Sequence, residues 1–275
     1  MAAIASALKE KDVLIKPQGD KFLVVARESD VGRVTPETKE ASDALASAMA
    51  QATGLKADEL LPAGMVNFPE TDLNQVLQIY QDLVNRTVIR PTTLPAQQIR
   101  FFNFTPLKRS ELIYALTATL ALNGVSVMPA GEKFVFVFSA FQKDTATEIL
   151  ARKPAAIAAG TNSIPAGSIN LMAAALPVVA GLYREISGQA LELNADLPKV
   201  WIVFKSQTAL TPDEALQGLE YALAWNRLVI EKAGNRLILK PAGWPAERAG
   251  NTSAGHNPGN RTPNSGFSPG NLRFA

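Results

Sequence analysis

The chain of 275 residues has one histidine, His256, and no cysteine. His256 stands in a stretch of Gly, Asn, Pro and Ser (AGNTSAGHNPGN), so neither a Ser-His-Asp triad nor a histidine metal site can be assembled in a folded cleft. The lack of thiols removes cysteine nucleophiles, thiolate metal sites and disulfide frameworks, and is compatible with any compartment, an oxidising one included. Carboxylates are left for acid–base chemistry, and two pairs stand close together, Glu70 with Asp72 and Asp213 with Glu214. Each lies at a predicted helix start, where the macrodipole favours acidic side chains, and capping accounts for them. Pro129-Ala130-Gly131-Glu132 falls between two predicted strands, whereas a phosphate-binding loop joins a strand to a helix. The residue types therefore point away from an enzyme and call for no cofactor and no metal.

The elements that position the remaining side chains come in copies. Leu61-Pro62-Ala63-Gly64-Met65-Val66-Asn67-Phe68 reappears as Ile164-Pro165-Ala166-Gly167-Ser168-Ile169-Asn170-Leu171, an offset of 103 from Asn67 to Asn170. The same offset carries Tyr80 onto Tyr183, Ile99 and Phe101 onto Ile202 and Phe204, Glu111 onto Glu214, and Gly131 onto Gly234, with no register shift. A partial third copy opens the chain: Val13 to Val25 matches Val125 to Val137, an offset of 112 from Gly19 to Gly131. The expected organisation is a partial first module over 1–25, a helical linker over 26–60, a module over 61–138, a linker over 139–163, a second module over 164–241 and a disordered tail over 242–275. With 47% hydrophobic residues, two modules of this size can each bury an ordinary core.

Within a module the order is β-α-β-β-α-β-β, an α+β fold of small mixed sheets with two helices each. Val66 to Phe68 reads as a strand. Thr71 to Asn85 places Leu73, Val76, Leu77, Tyr80 and Leu83 on one helical face. Thr87 to Arg90 and Gln98 to Phe104 read as strands on either side of a Leu94-Pro95 turn. The next helix starts at Thr211-Pro212-Asp213-Glu214 in the last copy, with an N-cap, a first-turn proline and a capping-box glutamate. The earlier copy has Lys108 at that cap, so its helix is expected to fray more. Gly131 serves a hairpin turn that needs positive φ. In the linker, Thr35-Pro36 starts a helix expected to end near Gly54.

The Asn67-Phe68 opening, the helix running into T-V-I, the Leu-Pro turn, the T-P-x-E-A-L helix and the Asn123-Gly124 or Asn226-Arg227 hairpin start together resemble the short N-terminal domain shared by secretins and TonB-dependent receptors. The resemblance covers residues 61–138 and 164–241. It implies non-catalytic modules of the periplasm that stack as rings below an outer-membrane pore or receive signals from a partner. The reading that follows is a secretin-like protein of a type II or related secretion system, which builds a ring wall or docks components through protein–protein contacts. The alternative is a signalling or ligand-capture module similar to the receptor version. Tandem copies favour the first, since receptor-type domains come singly ahead of a plug and barrel. The pore-forming domain of secretins is not in this sequence, so a channel is not expected of it.

Comparing the copies singles out a surface. In the strand at Gln98 to Phe104, Ile99 and Phe101 are shared with Ile202 and Phe204 and should face the core, while the alternate positions differ. That differing face carries Phe102 and Phe104 in one copy and Trp201 and Val203 in the other. These four are the candidates for contact between modules or with another protein, because exposed aromatic area is costly unless covered. The competing reading has the second helix or a linker cover them within the module.

The net charge of +2 equals that of the tail, where Arg248, Arg261 and Arg273 outnumber Glu247, so the body is neutral and nucleic-acid binding is not expected. Residues 155–183 carry no charge, yet they contain Pro165, Pro177 and Gly167 and align with the polar helix at Asp72 to Asn85. A module helix rich in alanine, not a membrane segment, is the reading. No signal peptide is visible, and the half-module at Met1 reads as an internal start or a truncation, which places any targeting segment upstream. The expected location is periplasmic or outer-membrane associated, with self-association or secretion components as partners.

Overall fold

A computed structural model describes residues 12–18, 21–34, 36–53, 59–94, 96–156, 160–234 and 236–243. Contacts group the chain into Met1–Ala242 and Gly243–Ala275, and every element belongs to the first unit. The helix expected at the very start, and the tail beyond Gly243, lie outside the described residues.

The fold is α+β. A hairpin of β1 (Val13–Gln18) and β2 (Phe22–Arg27) leads through the short helix α1 (Glu28–Val31) to α2 (Pro36–Thr53). A first stretch follows: β3 (Leu60–Leu61), β4 (Asn67–Asp72), α3 (Leu73–Val84), β5 (Thr87–Ile89), β6 (Gln98–Phe102), β7 (Leu107–Lys108), α4 (Arg109–Leu122), β8 (Val125–Ala130) and β9 (Phe134–Ser139). Helix α5 (Lys143–Leu150) connects to a second stretch of β10 (Asn170–Ala175), α6 (Leu176–Ser187), β11 (Leu191–Leu193), β12 (Trp201–Lys205), α7 (Pro212–Trp225), β13 (Leu228–Ala233) and β14 (Arg236–Pro241). In the first stretch β4 pairs antiparallel with β6, and a three-stranded sheet runs β5-β9-β8 with β5 parallel to β9. The second stretch repeats this with β10 on β12 and the order β11-β14-β13.

Local chemistry explains the boundaries. Asp72 caps α3 by accepting the Asn74 N–H at 2.8 Å, which starts the helix two residues later than its apolar spacing predicts. Asn85, at φ 48°, and Gly188, at φ 68°, end α3 and α6 at equivalent positions in the left-handed conformation that closes a helix. Helix α7 has both halves of its capping box: Glu214 accepts the Thr211 N–H at 2.7 Å and Thr211 Oγ accepts the Glu214 N–H at 3.2 Å. Lysine has no acceptor at the corresponding start of α4, but Glu111 still takes the Lys108 N–H at 2.7 Å.

The core of the first stretch joins the apolar face of α3 to α4 and to the inner faces of β6, β8 and β9. Ile99 and Ile202 are fully buried, as is Phe204, while Phe101 packs against the core edge. Leu45 and Ala46 of α2 belong to the same cluster, so the residues read as a linker supply part of this core.

The gapless offset fails at one place. The β8–β9 turn holds three residues, with Ala130 opposite Phe134, whereas the β13–β14 turn holds two, with Ala233 opposite Arg236. Strand β14 therefore sits at an offset of 102 from β9, while β13 and β11 keep 103. A one-residue slip exchanges the faces of a strand. Here it puts Leu237 and Leu239, both fully buried, where Val135 and Val137 face the core, and turns Arg236, Ile238 and Lys240 outward, on the face that Phe134, Phe136 and Phe138 form in β9. Without the slip two leucines would lie on the outer face.

That outer face of β9 is not solvent-exposed. Phe134, Phe136 and Phe138 are all buried against α7: Phe136 meets Tyr221 edge-on at 5.0 Å and Trp225 at 5.6 Å, and Phe138 stacks on Trp225 at 5.4 Å. Gly218 makes the approach possible. A Cβ there would lie 2.7 Å from the ring of Phe204 and 2.8 Å from that of Phe134. The matching face of β14 carries Arg236 and Lys240, each beside a glutamate, Glu192 and Glu231. Polar outer faces of this kind end a stack.

Candidate functional site

Two polar anchors hold the helices that carry the contact surfaces. Buried Tyr80 of α3 donates to Thr117 Oγ of α4 at 2.8 Å, and Thr117 donates to the Ile113 carbonyl at 2.7 Å. The equivalent Tyr183 of α6 donates to Glu220 of α7 at 2.6 Å, and the same carboxylate oxygen accepts the Ala155 N–H at 2.8 Å. Glu220 thus ties α6, α7 and the connector after α5 together. Burial raises its pKa, only partly offset by these hydrogen bonds and by the charge of Arg152. Burial and the neighbouring Glu220 charge raise that of Tyr183 as well. The carboxylate pairs are similarly occupied, Asp72 at its cap and Glu70 with Arg100. Among the described residues no group of three or more His, Cys, Asp or Glu could hold a metal ion, and no helix is long and apolar enough to cross a membrane.

The four aromatic and aliphatic candidates fall on two different sheets. Phe102, 43% exposed, ends β6, and Phe104 beyond it is 85% exposed; their rings stack at 5.9 Å and 18°. Among the described residues no helix or connector covers Phe104. Trp201, 60% exposed, begins β12, with half-buried Val203 on the same face. Trp201 borders an apolar cleft of about 340 Å³ with Pro177, Leu193, Leu197 and Pro198.

What the counterparts of Phe102 and Phe104 do is informative. Gln207, the counterpart of Phe104, lies against the first stretch: its N–H donates to Thr87 Oγ at 2.9 Å, its side chain donates to Asp82 at 2.9 Å, and it accepts from Gln81 at 2.8 Å. The segment after β12 therefore touches the helix end and parallel strand of the stretch before it. Residue comparison missed the aromatic contact between stretches, which β9 and α7 make. Its signal was Phe134 to Phe138, an apolar run with no polar alternation, as a strand buried on both faces requires.

At the other end of the chain, Phe22 of β2 meets Tyr114 of α4 edge-on at 5.9 Å, and Lys21 pairs with Glu111 at 2.8 Å. The β1–β2 hairpin thus lies on α4 as β8–β9 lies on α7. Among the described residues β1 and β2 form a sheet of two. Leu23 and Val25 are 57% and 55% exposed, and a groove of about 630 Å³ runs between β2, the end of β6 and α4. The chain matches no family model, no curated protein and no solved structure.

Proposed function

We propose that this chain is a non-catalytic envelope protein, whose secretin-like periplasmic modules build or dock to a secretion-system assembly through protein–protein contacts at the outer membrane. The observation that carries the reading is the stacking of one stretch on the next. An entire strand face of three phenylalanines is spent on contact with a neighbouring helix, and the same hairpin-on-helix arrangement recurs at β2 and α4. Modules that meet in this way suit a wall or a scaffold, where each surface recognises another folded body. Polar groups that could have served chemistry are used as caps and anchors.

The test is location and effect together. The chain, carrying a C-terminal reporter that is active only after export, is expressed from its own locus, and the locus is then deleted. The expected result is reporter activity in the envelope fraction and loss of a secreted protein from the medium on deletion. A chain that stays with cytoplasmic proteins, or a deletion that leaves the secreted proteins unchanged, would refute the proposal.

A further inference from the structure

Among the described residues, the exposed groove beside β2 holds no counterpart of a helix and a strand that both later stretches place there. The hairpin β1–β2 superimposes in register on β8–β9, Ile15 opposite Val25 as Val127 is opposite Val137. In the first stretch the inner face of that hairpin, at Val135 and Val137, is fully buried under α3 and α4, and β5 pairs in parallel along the edge of β9. In the second stretch Leu237 and Leu239 are fully buried, and β11 pairs along β14. The corresponding Leu23 and Val25 are more than half exposed, and among the described residues the edge of β2 has no partner strand.

The outer side of the groove agrees. At the junction of the two stretches, Gln207 contacts Thr87 of the parallel strand and Asp82 of the helix before it. Phe104 holds the position of Gln207 and, with Phe102, borders the groove in which that strand and helix would lie. One occupant would cover Leu23, Val25, Phe102 and Phe104 together and continue an interface already built between the stretches.

We propose that this groove binds a segment of a separate polypeptide, consisting of an amphipathic helix that runs into a short apolar strand, and that the strand adds in parallel to the free edge of β2. Main-chain hydrogen bonds to the edge supply affinity, and side-chain fit supplies selectivity. The aromatic pair in place of Lys205 and Gln207 selects a helix with an apolar side chain where α3 has Asp82.

The probe is a fluorescent peptide with the sequence Leu73–Arg90, titrated into the full chain by anisotropy. Saturable one-to-one binding is expected. It should weaken at least tenfold in the variants Leu23→Glu and Val25→Glu, whose exposed positions tolerate a charge without loss of folding, checked by circular dichroism. A peptide with Asp82→Leu should bind the full chain more tightly, and Phe104→Ala in the chain should remove that advantage. Absence of binding, binding unchanged by both glutamates, or no gain from Asp82→Leu would overturn the proposal. So would a dimer of the unliganded chain in sedimentation that Val25→Glu dissolves, since a second copy would then be the cover.

Discussion

Two glycines in the middle of helices provide a paired experiment in which the same substitution should stabilise at one position and not at the other. Gly181 in α6 has open space where a Cβ would go, while a Cβ at Gly218 in α7 would lie 2.7 Å from Phe204 and 2.8 Å from Phe134. Carbon atoms in contact prefer about 3.5–4.0 Å, so both rings would have to retreat by roughly 1 Å. They cannot do so freely, because Phe204 is fully buried and Phe134 nearly so. Overpacking of this kind costs about 1–3 kcal/mol, against a gain of about 1 kcal/mol when alanine replaces glycine in a helix. Gly181→Ala should therefore stabilise by about 1 kcal/mol, and Gly218→Ala should be neutral or destabilise by up to about 2 kcal/mol. Urea unfolding of the full chain, with unchanged slope in both variants, measures the difference. Equal stabilisation by the two substitutions would refute close packing of α7 against β9 and β12.

Phe136→Ala removes the ring that touches both Tyr221 and Trp225 and should cost about 3–5 kcal/mol; limited proteolysis should then cut between the two stretches faster than in the parent chain. Asn103 is buried, accepting the Val66 N–H at 3.1 Å and donating to the Pro62 carbonyl at 3.0 Å, so Asn103→Ala should lower the unfolding free energy by about 1–3 kcal/mol. Burial holds the Glu220 carboxyl above its ordinary pKa, so the folded chain binds that proton more tightly than the unfolded chain. Its contribution is complete below the ordinary carboxyl range and is lost as pH rises through the raised value. Glu220→Gln, which keeps an acceptor for Tyr183 and Ala155, should flatten the decline of thermal stability over that window, and an unaltered pH profile would speak against the assignment.

The order of elements and the β8–β9 hairpin were legible because hydrophobic spacing repeats at a fixed distance, and a repeated pattern demands repeated packing; the pairing of β4 with β6 and of β5 with β9 joins strands distant in sequence, and no local spacing reveals it. Ile99 and Ile202 occupy the same buried position in both stretches for that reason. The slip of β14 was not legible in the same way. Lys133 and Arg236 align without a gap, and only the pairing of the strands reveals that one turn is a residue shorter. The contact face on β9 was present in the composition of Phe134 to Phe138, yet attention to differences between copies at Phe102, Phe104, Trp201 and Val203 passed over it. Helix α2 looked like a connector because it lies outside the repeat, and repetition says nothing of what a unique segment packs against. Lys108 illustrates a milder case: the missing cap acceptor is real, but Glu111 and the Arg109–Glu59 pair hold the start of α4.

Everything proposed for surfaces depends on β9 lying on α7. In a nuclear Overhauser spectrum of the full chain, the ring protons of Phe136 should give cross-peaks to those of both Tyr221 and Trp225, as centroid distances of 5.0 and 5.6 Å require. A spectrum in which Phe136 sees neither ring would contradict the stacking of the two stretches.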